Sequence, residues 1–390
     1  MPEQRLVLTY RCERSPCRSP QRVHLASTEA PEIIQSIRQA AEYLRPNWLT
    51  PPFSVDIPQD MKDEPIPEIP PTPDDDYNGF DRTLSAYCKD HYFPTFSRRL
   101  LIHVPGTAYD LDASNIVYGI HTEVEDSPRF VLYPPAYSRR RQYTDLELLA
   151  VMRSLRWNEA FASISFHGIS LEPLHGIFDM HGTENEPNCS RSGRHIHIKS
   201  TGNKKCSLLI HEIRALALYS SKLRRLDVSE CMKRKARRED PTGTPSPEDG
   251  CGIVEAVMPL CRRGLTNCDW FDLTGIELVE SDLDWLVDAA ASRLAHFRGF
   301  ELARCGLTER MMTLFLNALA THENTLESLN LCGNPGRIHA PSLNNSMSYF
   351  PFLRKLNLSR LLRTSGEDPL LTAETLLRWR LEDLDLRYDL

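Results

Sequence analysis

The sequence predicts an α/β fold, a right-handed solenoid of short parallel strands and helices, and three observations lead to this prediction. One phrase recurs through the second half of the chain: an apolar residue, any two residues, an apolar residue, any one residue and an apolar residue, as in LESLNL and LRKLNL. Successive copies mostly lie 27 to 32 residues apart. Amphipathic helical segments fill the intervals. One such unit cannot bury its apolar faces, whereas stacked units share a continuous core.

The second apolar position of the phrase marks the expected centre of each repeat strand. About eight repeats are predicted, centred on Ile164, Ile196, Leu226, Phe271, Phe300, Leu329, Leu356 and Leu384. This phrase with a period near 28 residues is typical of leucine-rich repeats. The period leaves room for a full helix in each unit, so we predict the ribonuclease-inhibitor-like form, a horseshoe with a parallel sheet inside, over residues 146–390. Because no closing cap follows the last phrase, we expect an open C-terminal end and a native protein that continues.

The first 45 residues predict two strands and a helix. LVLTY and RVHLA are β-prone and are separated by a turn-rich segment. A helix follows, with an apolar stripe from Ile33 to Leu44, and Pro46 marks its end. Because this piece is too small to cover that stripe alone, we expect it to complete its core with a missing N-terminal portion or to pack on the later part of the chain.

The rest of the chain divides by composition. Residues 46–76 contain nine prolines and many acids, which predicts an extended linker without a core. Residues 77–145 regain helix and strand patterns and are predicted to cap the apolar end of the solenoid. The long interval between Leu226 and Phe271 holds a polar, helix-breaking insertion at 232–250, which we expect to be a surface loop.

Two features of the repeats supply candidate contact residues. Asn334 occupies the turn after a repeat strand, where we expect its amide to bond to neighbouring backbone rather than to a ligand. The inserted loop carries a basic cluster that is a candidate contact for anionic lipid, nucleic acid or an import receptor. Nearby acids partly cancel its charge and favour a solvated loop. The cluster comprises Lys233, Arg234, Lys235, Arg237 and Arg238.

Several classes of function are disfavoured. The net charge of −7 argues against general nucleic-acid binding, and no apolar run approaches the length needed to span a bilayer. His195 and His197 are expected on one face of a strand, and Cys189 lies upstream as a third candidate metal ligand. No fourth ligand follows with zinc-like spacing. No motif assembles a nucleophile, a base and an orienting group. We therefore expect no enzyme, no metal, no cofactor and no small-molecule substrate.

The compartment follows from the cysteines and the N-terminus. Eleven cysteines in a chain without a secretory signal pattern are most simply reduced thiols. We therefore expect a cytoplasmic protein.

The order of these pieces resembles one family. The segment RLVLTYRCERSPCRSPQRVHLASTEAPEIIQSIRQAAEYL resembles the last strands and closing helix of a PH domain. A linker, the helix FDRTLSAYCKDH and ribonuclease-inhibitor-like repeats come after it. This order resembles the CARMIL family, the leucine-rich actin capping-protein regulators, and especially their fungal relatives.

The resemblance implies a non-enzymatic scaffold of actin organisation at the cytoplasmic face of the plasma membrane. Family members contact lipid through the PH domain and capping protein through a C-terminal region. This chain lacks the first PH strands and the capping-protein motif, so no functional residue is transferred from the family.

The leading hypothesis is an interaction scaffold whose concave sheet face binds protein partners of the actin cortex. The alternatives are a GTPase-activating protein of the Ran-activator type, built on the same solenoid, and a nuclease inhibitor. Measurement of GTP hydrolysis by small GTPases separates the first alternative from a scaffold.

Overall fold

The protein is described here by a computed structural model, and its architecture is a mixed α/β arrangement of strands that alternate with helices. The described residues are 4–10, 21–27, 29–44, 59, 77–88, 111–137, 141–175, 177, 207–233, 250–363 and 369–387.

The N-terminal piece has the predicted order of two strands and a helix. Strands β1 (Gln4–Tyr10) and β2 (Gln21–Ser27) pair antiparallel, with Gln4 opposite Ser27. Helix α1 (Ala30–Leu44) comes next and lies against β1 and against α2 (Phe80–Cys88).

One mostly parallel sheet runs through the rest of the described residues. Its strands lie side by side in chain order, and only the first two pair antiparallel. They are β3 (Tyr118–His121), β4 (Arg129–Leu132), β5 (Ser163–Ser165), β6 (Arg225–Asp227), β7 (Trp270–Asp272), β8 (Gly299–Glu301), β9 (Ser328–Asn330), β11 (Lys355–Asn357) and β13 (Asp383–Asp385). Two short strands form a separate parallel pair, β10 (Arg337–Ile338) and β12 (Leu362–Arg363).

Helices fill the intervals between the strands, and successive helices pack on one another. Several begin at a hydroxyl residue whose side chain accepts a backbone N–H of the first turn, and Thr144 and Glu147 form a reciprocal capping box. These caps explain where the helices start. The helices are α3 (Asp145–Trp157), α4 (Leu208–Tyr219), α5 (Ile253–Arg262), α6 (Glu280–Ala290), α7 (Glu309–Leu319), α8 (Ala340–Met347) and α9 (Ala373–Arg378).

The core lies between the sheet and the helices. The middle residue of each three-residue strand points into it, so that Phe271 and Phe300 stack with ring centroids 5.9 Å apart. Phe130 of β4 holds the same position before the first predicted repeat and contacts Phe80 of α2 at 5.1 Å. Phe161 lies 5.6 Å from both of these rings. This aromatic cluster covers the N-terminal end of the repeat core.

The order of pairing corrects one expectation. Strands β5 and β6 are direct neighbours, with Ile164 opposite Leu226. The prediction of a repeat strand at Ile196 between them is therefore wrong, because an intervening strand would separate the two by twice the spacing of a ladder. Ile196 itself lies outside the described residues.

A buried charge cluster joins α3 to α4 on the helix side. The carboxylate of Glu212 is fully buried and is bound by Arg153, 3.2 Å away, and by Arg156. Burial opposes ionisation of this carboxyl, but Arg156, His211 and Arg153 outweigh it and hold the pKa of Glu212 well below the ordinary value of 4.5. Buried ion pairs are costly to break because they leave an unpaired charge in the core, so this cluster is a structural bond between two helices.

Candidate binding surface

The face of the sheet away from the helices is the candidate binding surface, and we call it the open face. Side chains alternate across a strand, so the residues on either side of each buried centre project to this face. The first residue of each strand forms a front row: Arg129, Ser163, Arg225, Trp270, Gly299, Ser328, Lys355 and Asp383. The third forms a back row: Val131, Ser165, Asp227, Asp272, Glu301, Asn330, Asn357 and Asp385.

Trp270 occupies the middle of the front row, and its side chain is buried although it lies on the open face. Only 2% of its surface is exposed. The ring lies against Gly299 of the next strand, where a Cβ would come within 2.5 Å of Cε2. Cations surround the ring: the guanidinium carbons of Arg225 and Arg298 lie 4.4 and 5.7 Å from its centroid, and Nζ of Lys355 lies 6.0 Å away. These distances fit cation–π attraction.

A third row precedes the strands and alternates in charge. Within it, each backbone N–H donates to the carbonyl of the equivalent residue one strand earlier. Arg224 and Arg298 both bind Asp269, and Arg354 binds Glu327 at 3.5 Å and Glu382 at 2.9 Å. We call this row the charge ladder: Arg224, Asp269, Arg298, Glu327, Arg354 and Glu382.

Asp269 is the most buried carboxylate of the ladder. Burial raises the pKa of Asp269 above its ordinary value, and the two arginines oppose the increase. The negative charge of Asp269 is therefore stabilised by both Arg224 and Arg298.

The back row is anionic where it passes Trp270. Asp227, Asp272 and Glu301 lie on three successive strands. Burial raises the pKa of Asp272 above its ordinary value, and the nearby charge of Asp227 adds to the increase. Burial also raises the pKa of Glu301, whereas a 2.9 Å hydrogen bond from Ser328 lowers it. The open face therefore places three cations around Trp270 and a line of carboxylates behind them.

Most back-row residues also have a structural role. The side-chain oxygen of Asp272 accepts the N–H of Thr274 at 3.0 Å, two residues later. Such short-range bonds are typical of Asp and Asn in turns. The same bond recurs at the other Asp and Asn residues of this row, Asp227, Asn330, Asn357 and Asp385. The back row therefore does not by itself indicate a ligand.

One loop crosses the open face. It joins β3 to β4 and comprises residues 122–128. Asp126 accepts two hydrogen bonds from Nη2 of Arg298, both 2.8 Å long. Glu125 lies 3.9 Å from Arg354 and 3.7 Å from Lys355. The loop thus connects the capping module to the rows that flank Trp270.

Seven of the eight predicted strand centres are paired with one another from strand to strand along the sheet. Six have at most 2% of their surface exposed: Ile164, Leu226, Phe271, Phe300, Leu329 and Leu356. Leu384 is 39% exposed because β13 has a neighbour on one side alone within the described sheet.

Asn334 lies in the turn after β9 and bonds only to backbone. Its Oδ1 accepts the N–H groups of Cys305 and Leu307 at 3.0 Å, and its Nδ2 donates to the carbonyls of Leu302 and Leu331 at 2.8 Å. With 2% exposure it offers little surface to a ligand.

Of the predicted basic cluster, Lys233 alone lies in the described part of the chain. Lys233 is exposed, and its backbone N–H donates to Glu172 at 3.0 Å. Arg234, Lys235, Arg237 and Arg238 lie outside the described residues, as do His195, His197 and Cys189. In the described part of the chain, no group of acidic, histidine or cysteine side chains is arranged to hold a metal ion, and no helix is suited by length and hydropathy to cross a membrane.

Sequence reasoning missed the residues that define the open face. Trp270, Arg298 and the two loop acids lie outside the apolar positions on which the repeat prediction depends. A signal was present, since the residue directly after the first apolar position of the phrase alternates between Arg and Asp or Glu from Arg224 to Glu382.

Comparison with known proteins bears on the N-terminal piece. Residues 5–71 match the family model described as the second PH domain in LRR-containing protein. The match includes β1, β2 and α1 and continues past residue 45 into the segment predicted as a linker. Among curated proteins, none matches this chain. The match and the repeat-like α/β architecture together support a protein of the PH and leucine-rich-repeat type.

Proposed function

We propose that this chain is a non-enzymatic protein-interaction scaffold, a CARMIL-like regulator of actin organisation at the plasma membrane. The observation that carries the proposal is the succession of a PH-type match over residues 5–71 and a ladder of parallel strands with an open face. Repeat solenoids typically use such extended faces to bind proteins.

The horseshoe form is part of this proposal. Neighbouring parallel strands lie about 4.8 Å apart, whereas packed helices need about 8–10 Å. Because each unit contributes one strand and one helix, stacked units favour a curve with the strands inside. The open face would then be concave and would surround a partner on several sides.

The open face suits recognition by its rigidity. Its front and back rows project from strands that hydrogen-bond to neighbours on both sides, from β4 to β11. Side chains held on such a frame lose little further freedom on binding, which favours affinity. The charges on the two rows would steer and orient a partner.

The membrane part of the proposal rests on the PH-type match and on the exposed basic residue Lys233. Basic residues near an anionic lipid surface are attracted to it, and the attraction weakens with salt. We propose a cytoplasmic protein that is peripheral to the plasma membrane. Co-sedimentation with vesicles that contain anionic lipid tests this part, and loss of binding to purely zwitterionic vesicles is the expected contrast.

Affinity capture with the chain as bait tests the scaffold function. The face variant reverses charge at Lys355→Glu and Asp383→Lys, and the matched control reverses the exposed helix-side pair, Glu280→Lys and Arg310→Glu. We expect actin-cortex proteins to be captured by the wild type and the control and to be lost with the face variant.

Two outcomes would contradict the proposal. Equal capture by both variants would show that the open face is not the binding surface. Recovery of nuclear-transport proteins alone, with faster GTP hydrolysis by a Ran-type GTPase in the presence of the chain, would favour the GTPase-activating alternative.

A further inference from the structure

We propose that the open face takes an extended acidic segment of a partner protein, and that the β3–β4 loop occupies the same positions until that segment displaces it. This inference rests on the proposed scaffold function and specifies the chemistry of the partner. Two observations support it: cations gather around Trp270, and the β3–β4 loop places two carboxylates on these cations.

The cations converge from distant parts of the chain. Arg225, Arg298 and Lys355 surround the Trp270 ring, and Arg354 lies beside Lys355 in the charge ladder. They come from three repeat units, so only the stacking of the solenoid brings them together. A cluster of like charges over an aromatic ring is unfavourable unless anions neutralise it.

The loop supplies two of these anions in the manner of a bound peptide. Asp126 and Glu125 reach Arg298, Arg354 and Lys355 across a sequence separation of up to 230 residues. Asp126 adopts a left-handed backbone conformation, with φ of 54°, which is uncommon for residues other than glycine. The loop therefore shows which chemistry the surface accepts.

The loop does not saturate the surface. Glu125 lies 3.7 and 3.9 Å from its two cations, beyond hydrogen-bond length, and these side chains are more than 40% exposed. Such exposed pairs are weak and exchange readily with other anions. Arg225 forms no ion pair with any described residue, although it lies 4.4 Å over the Trp270 ring. The Nε1–H of Trp270 has no hydrogen-bond partner among the described residues either.

The spacing of the cations sets the length of the segment. From β6, which carries Arg225, to β11, which carries Lys355, there are four steps between neighbouring strands. At about 4.8 Å a step the two strands lie about 19 Å apart. Both cations lean over the Trp270 ring, however, so their charged groups lie at most about 10 Å from each other, the length of about three extended residues. Two loop acids serve part of this span, and a longer acidic segment would reach Arg225 as well.

The back row limits where the segment lies. Asp227, Asp272 and Glu301 form a line of carboxylates behind the cations. Like charges repel, so an acidic segment is held to the front of the face, over the cations around Trp270 and across the strands. The partner chemistry is therefore a run of Glu and Asp in extended conformation.

Fluorescence anisotropy with labelled hexaglutamate tests this inference. The open variant combines Glu125→Gln and Asp126→Asn, which keep the size of the loop and remove its charge. The matched control is Glu123→Gln, an exposed loop residue that makes no ion pair with a described residue. We expect the open variant to bind hexaglutamate at least tenfold more tightly than the wild type and the control. Binding should weaken at high ionic strength, and labelled hexalysine should not bind at this surface.

Two further measurements extend the test, and the second uses the wild type, so it does not depend on how well the open variant folds. Adding Arg225→Gln to the open variant should reduce its affinity for hexaglutamate at least fivefold. In the wild type, saturating hexaglutamate should change the tryptophan emission, because the cations over the Trp270 ring exchange the loop carboxylates for those of the peptide. Trp270→Phe should remove that change.

Equal hexaglutamate affinity of the wild type and the folded open variant would overturn the inference. So would an unchanged tryptophan emission of the wild type at saturating peptide, or equally tight binding of hexalysine. If the open face still captures cortical proteins in a charge-dependent way, these results refute the acidic partner and leave the scaffold function standing. If capture fails as well, both are wrong.

Discussion

The indole of Trp270 lies flat against Gly299 on the neighbouring strand, so closely that a Cβ at position 299 would lie 2.5 Å from Cε2 of the ring. The two residues are direct partners in the ladder between β7 and β8. The absence of a side chain on one strand therefore provides the space for the largest side chain on the other.

Substitution Gly299→Ala should destabilise the protein by about 1–3 kcal/mol, because overpacking displaces the ring or the strand. Gly299 has no positive φ, so the cost comes from the contact and not from the backbone. Urea unfolding measures the loss of free energy.

The double variant Gly299→Ala with Trp270→Ala provides the control. Removing the ring should recover part of the loss, as expected of coupled residues. Gly168→Ala offers a contrast, because position 168 has a φ of +69° and no atom within 4 Å of a Cβ. Its cost is conformational, so Trp270→Ala should not reduce it, and an equal rescue at both glycines would refute the steric explanation.

Substitution Glu212→Gln should cost about 3–5 kcal/mol at neutral pH, because it leaves buried guanidinium charge without a carboxylate. Arg156 is 5% exposed and Arg153 is 16% exposed, so water compensates little. Unfolding by urea checks this, and Glu374→Gln in the exposed pair with Arg378 should change stability by less than about 0.5 kcal/mol.

The same variant should alter the response to acid. The pKa of Glu212 is lowered in the folded state, so its contribution to stability is complete above the unfolded pKa near 4.5 and is lost as pH falls towards the folded pKa. The stability difference between wild type and Glu212→Gln should therefore shrink below about pH 4.5. A difference that grows on acidification would contradict the assignment.

Substitution Asp272→Asn should stabilise the protein by on the order of 0.5 kcal/mol at neutral pH. The raised pKa of Asp272 means that its charge costs stability above the folded pKa, and that this cost disappears as pH falls through it. An amide can still accept the Thr274 N–H, as Asn330 and Asn357 do at equivalent positions.

The matched control for this prediction is Asp385→Asn. Hydrogen bonds from Arg387 lower the pKa of Asp385 to about 2, so removal of its charge should destabilise the protein rather than stabilise it. Chemical unfolding at pH 7 and pH 4 compares the two variants. The same sign for both would show that burial does not govern the back row.

Substitution Asn334→Ala should cost about 2–4 kcal/mol, because it leaves buried N–H and carbonyl groups on both sides of the turn without partners. Asn330→Ala, four residues earlier, removes the bond from the N–H of Cys332 and a side-chain hydrogen bond to Glu301 at a partly exposed position, and should cost about 1 kcal/mol. Thermal unfolding distinguishes the two, and similar losses would argue against a special role for Asn334.

The repeat strands could be predicted from the sequence because the buried centre of each strand is an apolar residue at a fixed position in the repeated phrase. Helix starts follow from local capping as well, since α3 begins directly after Thr144, which forms a capping box with Glu147. The failure at Ile196 has a physical reason. Alternation of apolar residues is satisfied by any half-buried strand, so the pattern does not state which strand is its neighbour. Helix α8, with Pro341, Asn344 and Asn345, has a composition that gives little helix signal.

The open face could be predicted only in part. Its side chains follow from the alternation of residues around each centre. The contact of Asp126 with Arg298 joins residues 172 apart, and no local pattern encodes such a pair. The capping strands at Tyr118 and Arg129 were predictable as strands, but their place beside β5 depends on the whole sheet.

The alternating sign of the charge ladder constrains how this array can change in length. Acid and arginine alternate from one unit to the next, from Arg224 to Glu382. Loss of the single unit that carries Arg298 would set Asp269 beside Glu327, and duplication of any one unit would likewise set equal charges side by side. Removing or adding two consecutive units preserves the order. We therefore expect this solenoid to tolerate the gain or loss of two consecutive units better than the gain or loss of one.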